Sequence, residues 1–464
     1  MANNVTVQQN NEHVSRAFMW FHATSVNGGA MMISAAVASY FAVFMTDTML
    51  LPAAAASIIM LVSSLWDAIN DPIMGVIADR TNTRFGRYRP YFLFAPILVM
   101  IFGTLIWVNP DFSTTGKIIY TLICYIGFGM TVTMYTMPQM AVLPACVKDN
   151  QKRNTIIAMG AGVTAVAFTI SSTFTTNITA FFQSMGFSNG YIPYMLICGV
   201  LACISFWGLF ATSEEKYLSK IQDRPVRQDL MKVLKHKELA PFIIVWIMGS
   251  MGYGLMFASS VFYVMYYLAR PDLITLYMGI VAIGALVSMV VLLPLFLKIF
   301  KTGQKALTAC QIGAILCYIV LFLFGRYNLT FLYVMTFIAT SIASMQNALV
   351  NVLVNDAIDY IQLKEGFSAN GIIASIKGFA QKCGSTVTNS GILAVLAASG
   401  YIANAIGGQP DSTMFALNFL RFGAPALTGV IMLFCLRFNP IEKHYDEIEE
   451  MKLHMHETVD QNEE

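Results

Sequence analysis

Charged side chains are scarce in this chain of 464 residues. Asp, Glu, Lys and Arg make up only 12% of it, whereas 56% is hydrophobic, and the mean hydropathy is +0.62. A soluble protein of this length needs far more charge on its surface, so the composition excludes an ordinary soluble globular protein. The sequence therefore predicts an all-α polytopic membrane protein.

Motifs for catalysis or for a resident metal are also missing. The sequence has no CxxC pair, no HExxH and no glycine-rich phosphate loop at a helix start. Its loops are too short for a soluble nucleotide-binding domain, which excludes an ATP-driven pump. We therefore expect neither an enzyme nor a bound cofactor. The cysteines lie mostly in apolar runs and are interpreted as small core residues: Cys124, Cys146, Cys198, Cys203, Cys310, Cys317, Cys383 and Cys435.

Long apolar runs dominate the chain instead. A helix needs about 20 apolar residues to cross a bilayer, and twelve runs are long enough to do so. They form two groups of six, separated by a polar break at 213–239. The runs lie at about 17–45, 50–78, 91–108, 118–145, 155–183 and 191–212, and then at 240–268, 273–297, 306–325, 330–354, 372–399 and 414–436.

Basic residues are distributed unevenly between the two sides of these runs. If the N-terminus is cytoplasmic, 22 Lys and Arg lie on the cytoplasmic side and 4 on the other side. The positive-inside rule then predicts that both termini are cytoplasmic, in a multi-pass protein of the plasma (inner) membrane. The remaining two, Lys377 and Lys382, fall within the eleventh run.

The two groups of runs resemble each other. The loop TNTRFGRYRP after the second run is echoed by KIFKTGQKA after the eighth. Twelve transmembrane helices in two pseudo-symmetric six-helix halves are typical of the major facilitator fold. The predicted segments are a cytoplasmic tail (1–15), an N-terminal bundle (16–212), a cytoplasmic central loop (213–239), a C-terminal bundle (240–437) and a second cytoplasmic tail (438–464).

Two aspartates interrupt the second apolar run. Asp67 and Asp71 are four residues apart, which places them on one helix face, roughly 6 Å from each other. A charged aspartate at the bilayer centre costs about 2.5–3.5 kcal/mol, and a second like charge adds to that cost. Such a pair is expected where it faces a water-filled cavity and a cation compensates it. It predicts a coupling-ion site; the alternative is a structural ion pair between helices.

The aspartates belong to a longer motif. The run from Trp66 to Pro90, WDAINDPIMGVIADRTNTRFGRYRP, carries both of them, a following proline and a basic end. It resembles the signature of the glycoside-pentoside-hexuronide:cation symporter family. Further similarities lie at the end of the fourth run, after the tenth run and in the eleventh run; they are Pro138, Leu143, Pro144, Asp149, Arg153, Asp356, Asp359, Tyr360, Lys364, Gly366, Lys382, Cys383, Gly384 and Ser385.

That resemblance implies a cation site. In this family two carboxylates of the second helix bind the coupling cation and a lysine of the eleventh helix lies near them. The corresponding residues here are Asp67, Asp71 and Lys382. The resemblance also suggests that Thr133 adds a neutral oxygen. Hard oxygen ligands suit transient binding of Na⁺, and paired carboxylates beside an ammonium also suit H⁺, so we expect one of these as the coupling cation.

The expected substrate site departs from the family pattern. Met31 and Thr136 stand where acidic residues are expected, and Ala161 stands where an arginine is expected. A sugar still needs several hydrogen-bonding partners and an aromatic face. His22 is interpreted as an interhelical donor, with a protonation switch as the alternative. The residues predicted to bind substrate, each with an interhelical hydrogen bond as the alternative, are Asn27, Tyr135, Thr136 and Gln139.

The loop after the second run is expected to brace a cytoplasmic gate. Arg80 and Arg84 can pair with acidic groups across the two halves while the site faces outward. Anchoring to anionic lipid needs the same basic residues and is the alternative. The residues predicted to act in gating are Asp79, Arg80, Arg84, Arg87 and Arg153.

Together these features predict a secondary active symporter. Cation binding would favour the substrate-binding form, and rocking of the two halves would alternate access. The expected partners are a small solute, in the first place a glycoside, the coupling cation and membrane lipid, with no nucleic acid and no second subunit. An amphiphilic or lipid-like solute is an alternative, because Met31 and Ala161 make the pocket less polar. A membrane sensor that has lost transport is a second alternative.

Overall fold

A computed structural model describes residues 14–217, 232–233, 235–300, 302–365, 370–439 and 447. Within its helices, the side chains of residues 79, 150, 365, 370 and 371 lie outside the described part. Most of the two predicted tails and of the predicted central loop also lies outside the described residues.

The described part of the first half contains six long helices, which we number α1 to α6. The first is interrupted, with segments Arg16–Ser25 and Gly29–Val43 and a final π-helical turn at Phe44–Thr48. The bounds are Arg16–Thr48 for α1, Ala53–Arg80 for α2, Tyr91–Leu105 for α3, Thr114–Cys146 for α4, Asn150–Ser184 for α5 and Tyr191–Thr212 for α6.

Six further long helices, α7 to α12, follow in the described part of the second half. Several are continued by π-helical turns, at Tyr263–Tyr267 in α7, Ser288–Leu292 in α8 and Phe419–Gly423 in α12. The bounds are Ala240–Tyr267 for α7, Ile274–Phe300 for α8, Gly303–Phe324 for α9, Leu329–Ala343 with Met345–Glu365 for α10, Asn370–Ala398 for α11 and Asp411–Arg437 for α12.

Ten of these helices are long and apolar enough to cross a membrane. The other two are α3, which is apolar but only 15 residues long, and α11, which has 29 residues and carries Lys377 and Lys382. Both pack against neighbouring helices, α3 against α4 and α6, and α11 against α2 and α7. The predicted all-α membrane fold is therefore confirmed, with ten of the twelve predicted spans meeting the criteria of length and hydropathy.

Helices α1 and α7 end in the same way. After its π-helical turn each has one non-glycine residue in the left-handed region, Leu50 with φ 57° and Ala269 with φ 53°. The backbone hydrogen bonds that close the two turns also correspond, Met49 N to Phe44 O and Leu268 N to Tyr263 O, both at 3.0 Å. Because non-glycine residues rarely adopt positive φ, this coincidence indicates a structural repeat of the two halves.

The halves meet along three pairs of helices. α2 packs against α11, α1 against α7 and α5 against α8. At the end of the molecule where α1 ends, the Ser57 hydroxyl donates to the Ser390 carbonyl at 2.7 Å, and the Thr176 and Thr275 hydroxyls are 3.2 Å apart. These contacts hold the halves together at this end, which carries Asp47 and which we call the Asp47 end.

Candidate functional site

A cavity of about 440 Å³ lies between the two halves. Helices α1, α2 and α4 bound it on one side and α11 on the other, and its volume lies in the range of small-molecule sites. The side chains that line it are Ser34, Val37, Ala38, Asp67, Asp71, Tyr125, Phe128, Gly129, Val132, Thr133, Thr136, Met137, Lys382 and Asn389.

Asp67 and Asp71 both line this cavity. Their helix, α2, turns an apolar face to the outside, because Leu65, Ile69 and Ile73 are each at least half exposed. Residues two positions away from these lie nearly opposite on the helix, since each residue adds about 100°. The two carboxylates therefore face the space between the halves rather than lipid.

Asp71 is held by residues from two other helices. The Lys382 ammonium of α11 forms an ion pair with Asp71 Oδ2, and the Thr133 hydroxyl of α4 donates to Asp71 Oδ1 at 2.7 Å. The Lys382 side chain is 36% exposed and that of Asp71 is 17% exposed. This ion pair is a direct link between the two halves, and it borders the cavity.

Asp67 is less completely paired. Its carbonyl oxygen accepts a hydrogen bond from Lys382 Nζ at 3.2 Å, but its buried carboxylate oxygen Oδ1 has no hydrogen-bond partner among the described residues. Gly129 of α4 lies against this carboxylate, and a Cβ added at Gly129 would overlap Asp67 Oδ1. Glycine at position 129 therefore lets α4 approach α2 at the carboxylate.

The four residues predicted for the cation site are thus brought together by α2, α4 and α11. Among the described lining residues, the charged ones are Asp67, Asp71 and Lys382. Two carboxylates and one ammonium leave one negative charge in excess, which electrically matches one monovalent cation. The hydroxyl of Thr133 and the free oxygen of Asp67 supply oxygen atoms of the kind that Na⁺ prefers.

The four residues predicted to bind substrate are not brought together. Thr136 lines the cavity, although its hydroxyl donates to the Val132 carbonyl of its own helix at 2.5 Å. Tyr135 is 1% exposed and packs on Phe206, with ring centroids 5.1 Å apart. Tyr135 therefore lies in the packed core of the first half and is not among the residues that line the cavity.

Asn27 and Gln139 tie α1 to its neighbours. Asn27 accepts a hydrogen bond from the Thr164 hydroxyl of α5 at 2.8 Å. Gln139 Nε2 donates to the His22 carbonyl at 3.2 Å, and His22 Nε2 lies 3.3 Å from the Gln139 carbonyl. In this structure Asn27 and Gln139 make the interhelical contacts that were the alternative to substrate binding, and His22 takes part in the same contact between α1 and α4.

Three further polar residues, which are not among the four predicted to bind substrate, line the cavity: Ser34, Tyr125 and Asn389. A sequence signal for two of them exists. Asn389 is seven residues after Lys382, and Tyr125 is eight residues before Thr133, so each shares a helix face with a predicted cation-site residue.

The predicted gating arginines lie at the opposite end from Asp47. Within the described residues, Arg80, Arg84 and Arg87 form no ion pair, so the predicted pairing of Arg80 and Arg84 across the halves is not seen. Arg153 donates to the carbonyls of Val147 (2.5 Å) and Pro144 (3.3 Å) at the end of α4. The side chain of Asp79, which was also predicted to act in gating, lies outside the described part.

Glu215, which the prediction missed, holds the loop after α2. Its half-buried carboxylate accepts hydrogen bonds from the backbone N–H groups of Arg87 (2.7 Å), Tyr88 (2.8 Å) and Arg89 (3.0 Å). Gly86 precedes these amides with φ 109°, and a Cβ there would meet the Glu215 carboxylate at 2.9 Å. The basic loop is therefore fixed to the end of α6 by a carboxylate of its own half.

Comparison with known proteins decides the family. A profile of the family described as MFS/sugar transport protein matches residues 25–443. The chain belongs to this family. The match covers both halves and confirms the resemblance to glycoside-pentoside-hexuronide:cation symporters that the α2 motif indicated. The protein is a multi-pass membrane transporter of small solutes and not an enzyme.

Two relatives match along most of the chain. The chain is 28% identical over 424 residues to the uncharacterized symporter YnaJ of Bacillus subtilis (strain 168), which covers 89% of this chain and 90% of that protein. It is 26% identical over 416 residues to the isoprimeverose transporter of Lactiplantibacillus pentosus, which covers 88% of this chain and 85% of that protein.

A solved structure supports the fold. The xylose transporter XylE from E. coli, in a partially occluded inward open conformation, matches with a TM-score of 0.60 and 15% identity. The match covers 91% of this chain and 98% of XylE. It confirms the major facilitator fold, and at this identity it shows the fold alone.

Proposed function

We propose that the protein is a secondary active symporter that couples a gradient of Na⁺ or H⁺ to the transport of a glycoside. The observation that supports this most is the excess negative charge in the cavity between the halves, where Asp67 and Asp71 share the single ammonium of Lys382. A carboxylate pair with one missing positive charge is costly amid helices in a membrane. A cation that binds during each turnover removes that cost.

Lys382 connects cation binding to the relative position of the halves. Its ammonium belongs to α11 of the second half and holds Asp71 and the Asp67 carbonyl of the first. A cation that enters beside the free oxygen of Asp67 competes with Lys382 for Asp71. Because this competition weakens a contact between the halves, cation occupancy and the rocking that alternates access become linked.

The proposal of a glycoside rests on the relatives and on the lining of the cavity. The isoprimeverose transporter is a family member with similar length and 26% identity. The cavity offers hydroxyl and amide groups at Ser34, Tyr125 and Asn389 next to apolar surface. An amphiphilic solute would use the apolar lining instead, and competition by glycosides separates the two substrates.

The orientation proposed from the basic residues places both termini in the cytoplasm of a cell whose plasma membrane holds the protein. The Asp47 end then faces outward, and the loop that Glu215 holds faces the cytoplasm. Labelling by an impermeant thiol reagent tests this. In a cysteine-free background, a cysteine at Asn404 should react in intact cells and one at Thr83 only after lysis.

Transport in proteoliposomes tests the proposed function. A panel of radiolabelled neutral glycosides is offered under a Na⁺ gradient or an H⁺ gradient, to the wild type and to Asp67→Asn and Asp71→Asn. We expect uptake driven by one of the two gradients in the wild type and loss of gradient-driven uptake in both variants. Asp111→Asn, an exposed loop residue, is the matched control. Undiminished coupling in both cavity variants would refute the proposal, and saturable binding without any flux would favour a sensor.

A further inference from the structure

The polar side chains that line the cavity differ in whether they already donate a hydrogen bond within the protein. The Ser34 hydroxyl donates to the Ala30 carbonyl at 3.1 Å, and the Thr136 hydroxyl donates to the Val132 carbonyl at 2.5 Å. The Thr133 hydroxyl donates to Asp71. In each case the single hydroxyl proton is committed within the protein, so these residues have little left to offer as donors.

Tyr125 and Asn389 are the exception. Among the described residues, neither side chain makes a hydrogen bond, and both are half-buried in the cavity wall. Tyr125 belongs to α4 of the first half and Asn389 to α11 of the second. A phenol and a carboxamide each donate and accept hydrogen bonds while carrying no charge, and these are the properties that bind sugar hydroxyls.

No cationic side chain is available for an acidic ligand within the described lining. Lys382 is the one cation there, and it already pairs with Asp71 and donates to the Asp67 carbonyl. Lys377, the other lysine of α11, does not line the cavity, and a spacing of five residues turns it about 140° away from Lys382. An acid would lose its hydration beside Asp67 without gaining a partner, which is strongly unfavourable.

We infer that the substrate is an uncharged, hydroxyl-rich glycoside whose hydroxyls bridge the Tyr125 phenol and the Asn389 amide, and that sugar acids are rejected. This inference rests on the proposed function, because it concerns the substrate of the same cavity. Since the two residues belong to opposite halves, a ligand that binds both also favours closure of the halves around it.

Matched pairs of probes test the substrate class. Methyl glucoside, methyl galactoside and methyl xyloside are compared with methyl glucuronide and methyl galacturonide as stabilisers of the purified protein against heat, in Na⁺ or at low pH. We expect at least one neutral glycoside to stabilise the protein, and the sugar acids to need about tenfold higher concentration or more. Equal or tighter binding of either acid, or binding of none of the neutral probes, would overturn the inference.

Variants of the two residues test the recognition itself. Asn389→Ala and Tyr125→Phe should each weaken binding of the neutral probe about tenfold, and Asn389→Lys should narrow the preference for neutral over acidic probes. Asn351→Ala and Tyr327→Phe are the controls, since both residues are exposed and neither lines the cavity. Unchanged probe binding in both Asn389→Ala and Tyr125→Phe would overturn the bridge.

Failure of this inference is distinguishable from failure of the proposed function. Probe binding at equilibrium needs no gradient, so it reports the substrate class alone. Gradient dependence of uptake, and its loss in Asp67→Asn, reports the coupling alone. A protein that binds neutral glycosides but carries them without a cation would refute the symport and leave the substrate class standing.

Discussion

The Tyr401 hydroxyl donates a hydrogen bond to Asp47 Oδ1 at 2.6 Å. The Tyr266 hydroxyl donates to the other carboxylate oxygen at 2.5 Å, and Asn404 Nδ2 donates to the Asp47 carbonyl at 2.9 Å. Asp47 lies in the last turn of α1 in the first half, whereas these three partners belong to the second half. A carboxylate that accepts two hydroxyl hydrogen bonds is a strong acceptor, so this cluster fastens the halves at the Asp47 end.

Removing one of these hydroxyls should loosen that closure. Tyr401→Phe deletes a hydrogen bond to a charged group, which contributes about 1.5–3 kcal/mol, and should raise the population open at the Asp47 end about tenfold or more. The measurement is the rate at which an impermeant maleimide labels a cysteine at Ser34, in the cavity, from that side of the membrane. Tyr327→Phe, whose parent residue is 82% exposed, is the control. An unchanged labelling rate would show that the cluster does not hold the closed state.

A methyl group at Gly129 should impair the cation site. In Gly129→Ala the new Cβ overlaps the Asp67 carboxylate, so α4 and α2 must separate or the carboxylate must rotate. We expect the half-saturating cation concentration for uptake to rise about tenfold, which corresponds to ~1.4 kcal/mol. Gly162→Ala is the matched control, because a Cβ there meets nothing within 4 Å. Equal cation affinities in the two variants would argue against Asp67 as a ligand.

Removing the Lys382 ammonium should abolish net transport but leave substrate exchange intact. In Lys382→Gln the cation no longer competes for Asp71, so its apparent affinity should rise about tenfold. In the empty transporter the two carboxylates then have no compensating positive charge, so its reorientation across the membrane without a cation should be slow. We predict that exchange of labelled for unlabelled substrate persists while net uptake falls to background. Net uptake at the wild-type rate would contradict the competition between Lys382 and the cation.

The Glu215 carboxylate should matter for stability more than for the cation site. Glu215→Ala leaves three backbone N–H groups without their acceptor. We expect the free energy of unfolding to fall by about 2 kcal/mol or more. The measurement is the melting temperature in detergent, together with cation affinity, which should be unchanged. Glu214→Ala is the control, because Glu214 is exposed and pairs with the exposed Lys216. A fall of equal size in both variants would show that the amide contacts do not stabilise the loop.

The structure brings together the charged residues that were predicted for the cation site, but not the neutral residues that were predicted for the substrate site. Asp67 and Asp71 are charges in an apolar run, where lipid makes each one costly, so the sequence indicates that a cation must compensate them, and the family resemblance implied that Lys382 lies beside them. Asn27, Tyr135 and Gln139 are neutral. A neutral polar side chain of a helix can lie either in an interhelical contact or at a cavity. Which of these occurs depends on helix rotation, and that is set by packing across the whole bundle.

Contacts between residues far apart in the sequence could not be predicted from local spacing either. The tyrosine partners of Asp47 lie more than 200 positions away in the sequence, and Glu215 contacts the loop after α2, about 127 positions earlier. The π-helical turns that end α1 and α7 likewise leave no pattern of apolar residues, because they add one residue to a turn without changing composition. The twelve runs themselves were visible because hydropathy is a property of each segment alone.

Charge movement on cation binding tests the central claim most directly, since it needs no substrate. Proteoliposomes adsorbed on a solid-supported membrane receive a rapid step in Na⁺ concentration or in pH, and the transient current is recorded. The account predicts a saturable transient in the wild type, because one monovalent cation enters the cavity beside Asp67 and Asp71, and its loss in Asp67→Asn. A transient of the same size in Asp67→Asn and Asp71→Asn, or none in the wild type with either cation, would contradict it.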